Sequence, residues 1–600
     1  MKVIGLFSSH DSNVAVSVDG EIKVVLELER MTGVRYYCSP QSKKNFTSDW
    51  SKAISLVTEF TGIQHFDVCV SNWFGRAQFN IMKTLIDAER WVEFDHHKCH
   101  ASLGFYGSPF NSALVISSDA AGNITAFETF SATRENGLVS LKKPSTHYGL
   151  TFIQIATMLE EVTGPNFWDQ DNLDFMPEGP TGGAVSDGDF ARFLVLPGKK
   201  MGYAALGKPR QGWFECMEEL YKGAFFSQQI SYTLLNRLQL DEFPINDSSV
   251  ARDVAATSQY WFTKKHCNKI SEQLDRYLSD PNNPAIDGIV LTGGCALNVF
   301  FNQVVVEKFG LPVHVPCAPN DCGISAGACW LIEPPKKFKD LMYTGLPLFD
   351  HDEIDAIAKE RNARKVTVSE IADLLMQRHI IGVVRGRAEF GPRALGHRSL
   401  LAYPDQPEQL TRVNRLKGRQ FYRPACPSVT EQSAVKIFKG RKESDRFVSH
   451  EDGLDLFDSD ERFCKTTSPT EGCCQFPDET RPDNFLPRSP YMSFAPTMRD
   501  ECRNMFPAVC HFDNTARLQT VSKESEPWFH SLLQEIGQRN GGYEILINTS
   551  FNVKGKPILN ELKTALEIMD NEPDGLLPYV VCEDWLFTRK DGITNGLMKH

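Results

Sequence analysis

The sequence predicts an α/β protein whose N-terminal half has two similar lobes that face a cleft. An apolar run "VIGLF", a polar turn and a second run "VAVSV" are followed by Asp19-Gly20 and a third run "IKVVLELE", which is typical of hairpin-linked strands. The plan returns from residue 112 as "SALVISS", "DAAGN" and "ITAFETF", and helical periodicity follows each copy. We interpret the recurrence as an internal duplication; chance recurrence of a common strand-turn-strand unit is the alternative.

The expected domains follow from breaks in this pattern. After the first copy, "SDWSKAISLVTEFTG" predicts a helix with Ser48 as its N-cap. A proline pair in "LIEPPKKFKD" ends a later helical pattern, so we place a domain boundary near residue 340. The expected N-terminal domain covers residues 1–340, with lobes at about 1–105 and 106–340, and the C-terminal domain covers residues 341–600.

The composition describes a chain with several globular domains. Of its 600 residues, 41% are hydrophobic and 23% are charged, and a net charge of −12 argues against general nucleic-acid binding. The first apolar run is too short for a signal-peptide core, and no run of about 18 apolar residues is present, so we expect a cytoplasmic protein without a membrane segment. The 16 cysteines lack paired CxxC spacing, which favours reduced thiols over a zinc cluster.

The stretch "FDHHKCHAS" places His96 and His100 one helical turn apart, on one face, with His97 pointing elsewhere. Asp119 ends a buried-looking strand, and Asp321 follows another strand at the start of a small-residue helix. Two imidazoles and two carboxylates would suit Fe(II), Mn(II) or Zn(II). Each residue also has an ordinary explanation, because histidines fill cores and aspartates cap helices and turns.

Two glycine-containing segments could approach a ligand. In "IVLTGGCALN" the pair Gly293-Gly294 stands between a strand and a helical pattern, where backbone amides can approach a nucleotide. The segment "GKKMGYAALG", residues 198–207, is bracketed by glycines in the same way. A packing turn explains the glycine pair equally well.

The C-terminal half contains a basic region. Between Arg385 and Lys442, arginine and lysine far outnumber aspartate and glutamate, although the whole chain is acidic. Multiply charged phosphates are the expected partners of such a region. Nucleic acid is the alternative, but regular aromatic interleaving is absent, and any single arginine could instead form a surface salt bridge.

Together these motifs resemble a family, the O-carbamoyltransferases of the nodulation-protein NodU and cephamycin CmcH type, which include antibiotic-tailoring enzymes such as the tobramycin carbamoyltransferase. The N-terminal motifs are the loop Ser9–Ser12, "HHKCHAS", "GKKMGYAALG", "GGCALN" and "PNDCG". The resemblance implies a two-lobed actin and sugar-kinase-like (RNase H-like) N-terminal domain that binds a divalent metal, with Fe²⁺ expected first and Mn²⁺ or Zn²⁺ as alternatives. By motif, the metal ligands would be His96, His100, Asp119 and Asp321, and nucleotide-binding residues of this domain would be Lys199, Gly293, Gly294 and Asn298.

The C-terminal motifs resemble the family's YrdC-like domain, also of α/β class. They are "GRAEFGPRALGHRSLLAYP", "NRLKGRQFYRPACPSV", "HFDNTARLQTV" and "INTSFNVKGKPI". The resemblance implies that this domain forms carbamoyladenylate from carbamoyl phosphate and ATP with Mg²⁺. The implied binding residues are Arg393, Lys417, Arg423, Arg517, Asn548 and Ser550.

The sequence departs from the family pattern at three places. The loop "DAAGN" lacks the glycine that usually follows the metal-binding aspartate, and "DNTAR" stands where the family has "DGTAR". The acidic "EER" segment of the family appears as Leu28–Arg30, so the roles of Glu29 and Arg30 are left open. An acidic, cysteine-bearing segment at 442–488 is predicted to be an insertion: a flexible surface loop, with a substrate lid or a partner-binding segment as alternatives.

The resemblance implies an enzyme that transfers a carbamoyl group to a hydroxyl of a small-molecule acceptor and releases AMP. His10 is the expected general base, assisted by Asp11, although a histidine that caps the turn is the alternative. Other functions to consider are a threonylcarbamoyl or hydrogenase-maturation type transferase, and a nonenzymatic nucleotide-binding regulator. No nucleic acid or membrane partner is expected, and a homo-oligomer is left open.

Overall fold

A computed structural model describes residues 1–39, 45–72, 76–120, 125–142, 146–164, 193–222, 227–239, 244–281, 283–440, 475–478 and 481–590, with the single positions 122, 144 and 167. The described residues form two five-stranded sheets, one eight-stranded sheet and a two-stranded ribbon. Most of the predicted insertion at 442–488 lies outside the described residues.

The first sheet is built from the repeated strand plan at the N-terminus. Its strands are β1 (Lys2–Phe7), β2 (Asn13–Val18), β3 (Glu21–Glu27), β4 (His65–Asn72) and β5 (Asp87–Glu93). They lie in the order β3-β2-β1-β4-β5, with β1 antiparallel to β2 and parallel to β4. The three predicted strands are confirmed, but the third leaves the sheet at Glu27, where the helix Leu28–Thr32 begins.

The second sheet has the same topology. Its strands are β6 (Ser112–Ser118), β7 (Phe127–Thr133), β8 (Gly137–Lys142), β9 (Gly288–Thr292) and β10 (Val313–His314). They lie in the order β10-β9-β6-β7-β8, with β6 antiparallel to β7 and parallel to β9. Strand for strand, the order and directions match those of the first sheet. The lobe boundaries near residues 105 and 340 stay predictions.

In the described part of this half, twelve helices surround the sheets. They are Leu28–Thr32, Phe46–Thr61, Arg76–Leu85, His96–Tyr106, Tyr148–Thr157, Glu160–Thr163, Leu196–Tyr203, Phe214–Lys222, Ser227–Leu238, Ser248–Ser279, Val299–Phe309 and Ile324–Ile332. The predicted cap at Ser48 is wrong, because the helix begins earlier, at Phe46, and the Ser48 hydroxyl donates to Asn45 O at 2.9 Å within the first turn.

The helices His96–Tyr106 and Ile324–Ile332 pack closely against each other, and the second also packs on β1. Glycines permit this approach. A Cβ at Gly327 would lie 2.1 Å from Cys99 O, and a Cβ at Gly5 would lie 2.2 Å from Ser325 O. The backbone of the helix Ile324–Ile332 therefore contacts the backbones of β1 and of the helix His96–Tyr106, which brings the starts of the two helices together.

The C-terminal half contains the eight-stranded sheet, in the order β11-β20-β19-β12-β13-β18-β14-β17. Its strands are β11 (Arg364–Lys365), β12 (Ile381–Val384), β13 (Arg398–Ala402), β14 (Cys426–Thr430), β17 (Gln519–Val521), β18 (Ile545–Ser550), β19 (Tyr579–Cys582) and β20 (Trp585–Thr588). The ribbon pairs β15 (Gln475–Asp478) with β16 (Arg481–Pro487). The helices are Ile354–Glu360, Val368–Met376, Pro407–Leu416, Glu431–Ile437, Asp500–Met505, Pro527–Arg539 and Leu562–Asn571.

The C-terminal half has a core of its own, whereas two clusters of the N-terminal half also take in C-terminal residues such as Tyr422 and Cys426. One hydrophobic cluster runs from Leu348 to Phe587 and includes no residue of the N-terminal half. Across the interface, the Tyr422 hydroxyl donates to Glu161 O at 3.0 Å and the Arg30 guanidinium donates to Gly391 O at 2.9 Å.

In the described part of the chain, no helix has the length and apolar character needed to cross a membrane. The cysteines described there are all free thiols, as predicted.

Candidate metal centre and anion site

A largely buried cluster of two histidines and two aspartates lies at the starts of the packed helices His96–Tyr106 and Ile324–Ile332. Asp95 begins the helix His96–Tyr106 by accepting a hydrogen bond from His97 N at 3.0 Å, so His96 and His100 share one face of the first turns. Asp119 directly follows β6, and Asp321 precedes the helix Ile324–Ile332. The close packing of the two helices brings the four side chains together.

The distances between donor atoms suit one metal ion. The Nε2 atoms of His96 and His100 are 3.1 Å apart, and His100 Nε2 is 3.3 Å from both Asp119 Oδ2 and Asp321 Oδ1. His96 Nε2 is 3.8 Å and 3.5 Å from the same oxygens. Ligand atoms about 2.1 Å from a tetrahedral metal are about 3.4 Å apart. No lysine or arginine among the described residues forms an ion pair with either carboxylate, so the donor set fits a divalent cation.

His97 takes no part in this cluster, as the sequence predicted. Its Nδ1 lies 2.7 Å from Ser117 Oγ, and its Nε2 lies 2.7 Å from Thr125 O. Burial and the neighbouring histidines lower its pKa to about 4, so it is a neutral structural histidine.

The two carboxylates are the reason that the pKa of His100 is raised. Burial acts to lower its pKa, but hydrogen bonds to Asp119 and Asp321 outweigh burial and raise the pKa to about 9. Burial acts to raise the pKa of Asp119, but the two histidines hold it well below its ordinary value. The two carboxylates therefore favour positive charge at the imidazoles of the cluster.

His10 and Asp11 lie in the turn between β1 and β2, beside this cluster. His10 Nδ1 is 2.9 Å from Asp11 Oδ2, and His10 Nε2 is 3.3 Å from Asp321 Oδ2. Burial opposes protonation of His10, but Asp321 and Asp11 raise its pKa to about 9. Sequence analysis missed Asn13, whose amide donates to Asp11 O at 2.6 Å and Asp321 O at 2.9 Å and so ties the turn to the metal cluster.

The Gly293-Gly294 turn contacts Asp119 and its neighbour Ser118. Gly294 N donates to Asp119 Oδ2 at 2.9 Å. Gly293 has φ +84, and a Cβ there would lie 2.2 Å from Ser118 O. Asn298 caps the helix Val299–Phe309 by accepting from Phe301 N at 3.0 Å. These contacts are structural, and the predicted role of the three residues in nucleotide binding stays a prediction.

A second group of predicted residues collects at one edge of the eight-stranded sheet. Strands β14 and β17 run parallel, and β18 runs antiparallel to β14, so the starts of β14 and β17 lie beside the end of β18. The sequence places Arg423 before β14, Arg517 before β17 and Ser550 at the end of β18. Lys417 joins them by donating to Ser550 O and, at 2.6 Å, to Asn552 Oδ1.

This edge concentrates positive charge without acidic partners. Among the described residues, the guanidinium groups of Arg393, Arg423 and Arg517 make no ion pair, and Arg517 Nε has no hydrogen-bond partner. Burial and the neighbouring Arg517 lower the pKa of Arg393 to about 9. Burial, with Arg419 next, lowers the pKa of Lys417 well below its ordinary value. A bound anion would relieve this repulsion, so we name these cations the anion site.

Asn548 lies beneath the anion site, fully buried. Its amide nitrogen donates to Gln519 Oε1 at 2.8 Å, while its Oδ1 has no hydrogen-bond partner among the described residues. An unpaired buried carbonyl oxygen is costly unless a ligand supplies a donor.

Lys199 comes from the N-terminal half of the chain and is an electrostatic neighbour of Arg423 in the anion site. Its pKa is lowered to about 8 by burial and then by Arg423, and its Nζ donates to Val162 O at 3.1 Å. Two further cations that act on Lys417, Arg419 and Arg35, were not identified from the sequence as binding residues. Arg419 lies in a recognised motif, whereas no local pattern marks Arg35.

The solved structures that this chain is similar to include two with weak overall likeness. HypF from T. kodakarensis has a TM-score of 0.34 at 14% identity, over 55% of this chain and 48% of that one. A ROK hexokinase from Thermus thermophilus has a TM-score of 0.24 at 11% identity, over 55% of this chain and 98% of that one. This chain spans about half the length of the HypF structure, and TM-scores this low do not establish a shared fold.

Sequence comparison finds relatives that match a larger share of this chain than the solved structures do. The nodulation protein NolO of Bradyrhizobium diazoefficiens is 26% identical over 529 residues, 82% of this chain and 80% of the relative. Nodulation protein U of Rhizobium tropici is 28% identical over 419 residues, 66% of this chain and 62% of the relative.

Family comparison covers both halves. Residues 76–330 match the family described as carbamoyltransferase N-terminus, and residues 372–453 and 473–589 match the one described as carbamoyltransferase C-terminus. The N-terminal match contains the histidine and aspartate cluster, and the C-terminal match contains the anion site cations Arg393 to Arg517. The chain belongs to the carbamoyltransferase family, and it is a transferase enzyme.

Proposed function

We propose that the protein is an ATP-dependent O-carbamoyltransferase that makes carbamoyladenylate in the anion site and transfers the carbamoyl group to a small-molecule hydroxyl beside the metal cluster. The observation that carries the proposal is the set of cations without acidic partners at the edge of the eight-stranded sheet, of which Lys417 is buried and the three arginines are half-buried. Such a set needs a multiply charged anion, and ATP and carbamoyl phosphate both supply one.

Formation of carbamoyladenylate takes two steps. Water converts carbamoyl phosphate into carbamate and inorganic phosphate. A carbamate oxygen then attacks the α-phosphorus of ATP, and pyrophosphate leaves with the electrons of the broken phosphorus–oxygen bond. Arg423, Arg517 and Lys417 would hold the phosphate groups and offset charge that develops during the attack. Mg²⁺ would accompany ATP.

Asn548 suits recognition of the carbamoyl group. Its buried and unpaired Oδ1 can accept a hydrogen bond from an NH₂ donor, which a carbamoyl group has and a carboxylate or acetyl group lacks. Ser550 lies beside it on β18 and is held by Lys417 and Asn552. These two residues would therefore select and orient the group that is transferred.

The transfer site would use the metal cluster. A divalent metal held by His96, His100, Asp119 and Asp321 would supply a Lewis acid that lowers the pKa of the acceptor hydroxyl. Asp11 holds His10 Nδ1, which leaves His10 Nε2 facing the cluster to accept the hydroxyl proton. A cation on Asp321 would weaken the field that protonates His10, so His10 would be neutral when the cluster is loaded. Fe²⁺ is our first expectation, with Mn²⁺ or Zn²⁺ as alternatives.

The fold supports this division of work. We propose that the repeated five-stranded sheets are an actin and sugar-kinase-like domain over residues 1–340, and that residues 341–600 are a YrdC-like domain. The shared strand order of the two sheets supports the first assignment, and the separate core from Leu348 to Phe587 supports the domain boundary. Joining the domains in one chain keeps a labile intermediate near its acceptor. We expect the reaction in the cytoplasm.

Release of pyrophosphate from ATP tests the proposal without knowledge of the acceptor. We expect release that depends on added carbamoyl phosphate, and loss of about 100-fold or more in Arg517→Ala. Arg237→Ala is the matched control, because Arg237 is exposed and pairs with Glu219 on the surface. Tight nucleotide binding without pyrophosphate release from metal-loaded protein would instead favour a nucleotide-binding regulator.

A further inference from the structure

A turn of the N-terminal half lies close to the anion site, because Arg30 Nη2 in the helix before it donates at 2.9 Å to Gly391 O, two residues before Arg393. Arg35 follows the helix Leu28–Thr32, far in sequence from the C-terminal motifs. Burial is the main cause of the low pKa of Lys417, and Arg35 is one of the cations that lower it further. Arg35 acts in the same direction on Arg423 and Lys199. A basic residue from the first domain is thus a close electrostatic neighbour of basic residues that bind the phosphates in our proposal.

The Arg35 guanidinium is fixed but has no carboxylate partner. Its Nη2 donates to the Tyr36 hydroxyl at 3.1 Å, and it lies 4.8 Å from the centroid of the Tyr36 ring. Within the described chain, Arg35 makes no ion pair. A guanidinium held against an aromatic ring keeps several N–H groups free for an oxyanion, in a geometry suited to phosphate.

The backbone of this turn is held in an uncommon conformation. Tyr36 has φ +55, in the left-handed region that an aromatic residue rarely adopts. Its N–H donates to Glu29 Oε2 at 2.8 Å, and Ser12 N donates to Tyr37 O at 3.1 Å. The turn is therefore fixed both to the acidic Leu28–Arg30 segment and to the loop that contains His10. Strained residues that the surrounding structure holds in place are concentrated at functional sites.

We infer that Arg35 completes the anion site by binding a phosphate oxygen of the nucleotide, and that Tyr36 is a positioning residue that holds the Arg35 guanidinium. The inference rests on the proposed function, which supplies the nucleoside triphosphate as ligand class. It adds that the adenylating site is built by both halves of the chain. Arg35 brings a charge-assisted hydrogen bond from the N-terminal half to a ligand otherwise held by the C-terminal half.

The test is the affinity of the full-length protein for MgATP, measured by calorimetry without carbamoyl phosphate. We expect Arg35→Ala to weaken binding about 10-fold or more, as loss of a charge-assisted hydrogen bond does. Tyr36→Phe keeps the ring but removes the hydroxyl, and we expect about 3-fold weaker binding with unchanged metal content and melting temperature. Arg237→Ala removes one positive charge from the exposed surface and controls for net charge.

The variants separate failure of the inference from failure of the proposed function. If Arg35→Ala binds MgATP as Arg237→Ala does while Arg517→Ala is weakened, Arg35 is outside the site and the inference is wrong. If Arg517→Ala also binds like wild type, the anion site itself is wrong. Should Arg35→Ala fold poorly, Arg35→Lys decides: weaker MgATP binding with an unchanged melting temperature supports the inference, and wild-type affinity overturns it.

Discussion

The affinity of the histidine and aspartate cluster for a divalent metal ion should rise with pH. His100 has a pKa of about 9 in the metal-free protein because Asp119 and Asp321 hold its proton against the effect of burial. A histidine must be neutral to bind a metal, so binding has to expel that proton. At pH 7, two units below a pKa of about 9, about one site in a hundred has His100 neutral. The His100 proton alone should therefore lower the apparent affinity at pH 7 about 100-fold, or about 2.7 kcal/mol, relative to the deprotonated site.

The raised pKa of His100 sets the direction of the pH dependence. A raised pKa means that the proton stabilises the metal-free cluster below about pH 9, and this stabilisation is lost as pH rises through that value. Competition between the protein and a chelator for Zn²⁺, measured from pH 6.5 to 8.5, should give an affinity that increases at least about tenfold per pH unit, because binding expels the proton of His100 and also that of His10. His65→Gln is the control, because His65 is an exposed histidine paired with Asp87 far from the cluster. An affinity that stays constant between pH 7 and 8.5 would refute the reasoning.

Three further outcomes follow from individual contacts. His97→Gln should lower the melting temperature by a few degrees but leave the metal content unchanged, because one of two buried hydrogen bonds is lost at about 1–3 kcal/mol. Lys417→Met should reduce carbamoyl-phosphate-dependent pyrophosphate release about 100-fold in a protein that still binds metal, since Lys417 lies in the anion site and not in the metal cluster. Gly327→Ala should destabilise the fold by about 1–3 kcal/mol in chemical denaturation because its Cβ would meet Cys99 O at 2.1 Å, whereas Gly198→Ala, with no atom near its Cβ, should not.

The fold could be predicted where local pattern decides structure. Alternating apolar runs around Asp19-Gly20 give the first strands, and their recurrence gives the second sheet. Pattern alone could not place the end of β3 at Glu27, because "LELER" is apolar and charged in a way that suits both a strand and the helix that follows. It also could not show that Ser48 lies inside a helix that begins at Phe46.

The candidate site was predictable to the extent that its residues stand in motifs. His96, His100, Asp119 and Asp321 follow or begin regular elements, and the structure brings them together. Arg35 has no such mark, because its place beside the C-terminal cations depends on packing between the halves of the chain. Asn13 was missed for a similar reason: its contact to Asp321 exists only once β2 lies beside the helix Ile324–Ile332.

The most direct test of the central claim is to look for carbamoyladenylate by mass spectrometry after a single turnover with ATP, Mg²⁺ and carbamoyl phosphate. If adenylation and transfer occupy separate sites, Asp119→Asn should form the intermediate, since the anion site is intact. Arg517→Ala should form almost none, because its adenylating site has lost a phosphate-binding cation. Failure of wild type and Asp119→Asn to form any carbamoyladenylate, or equal amounts in Asp119→Asn and Arg517→Ala, would contradict the account.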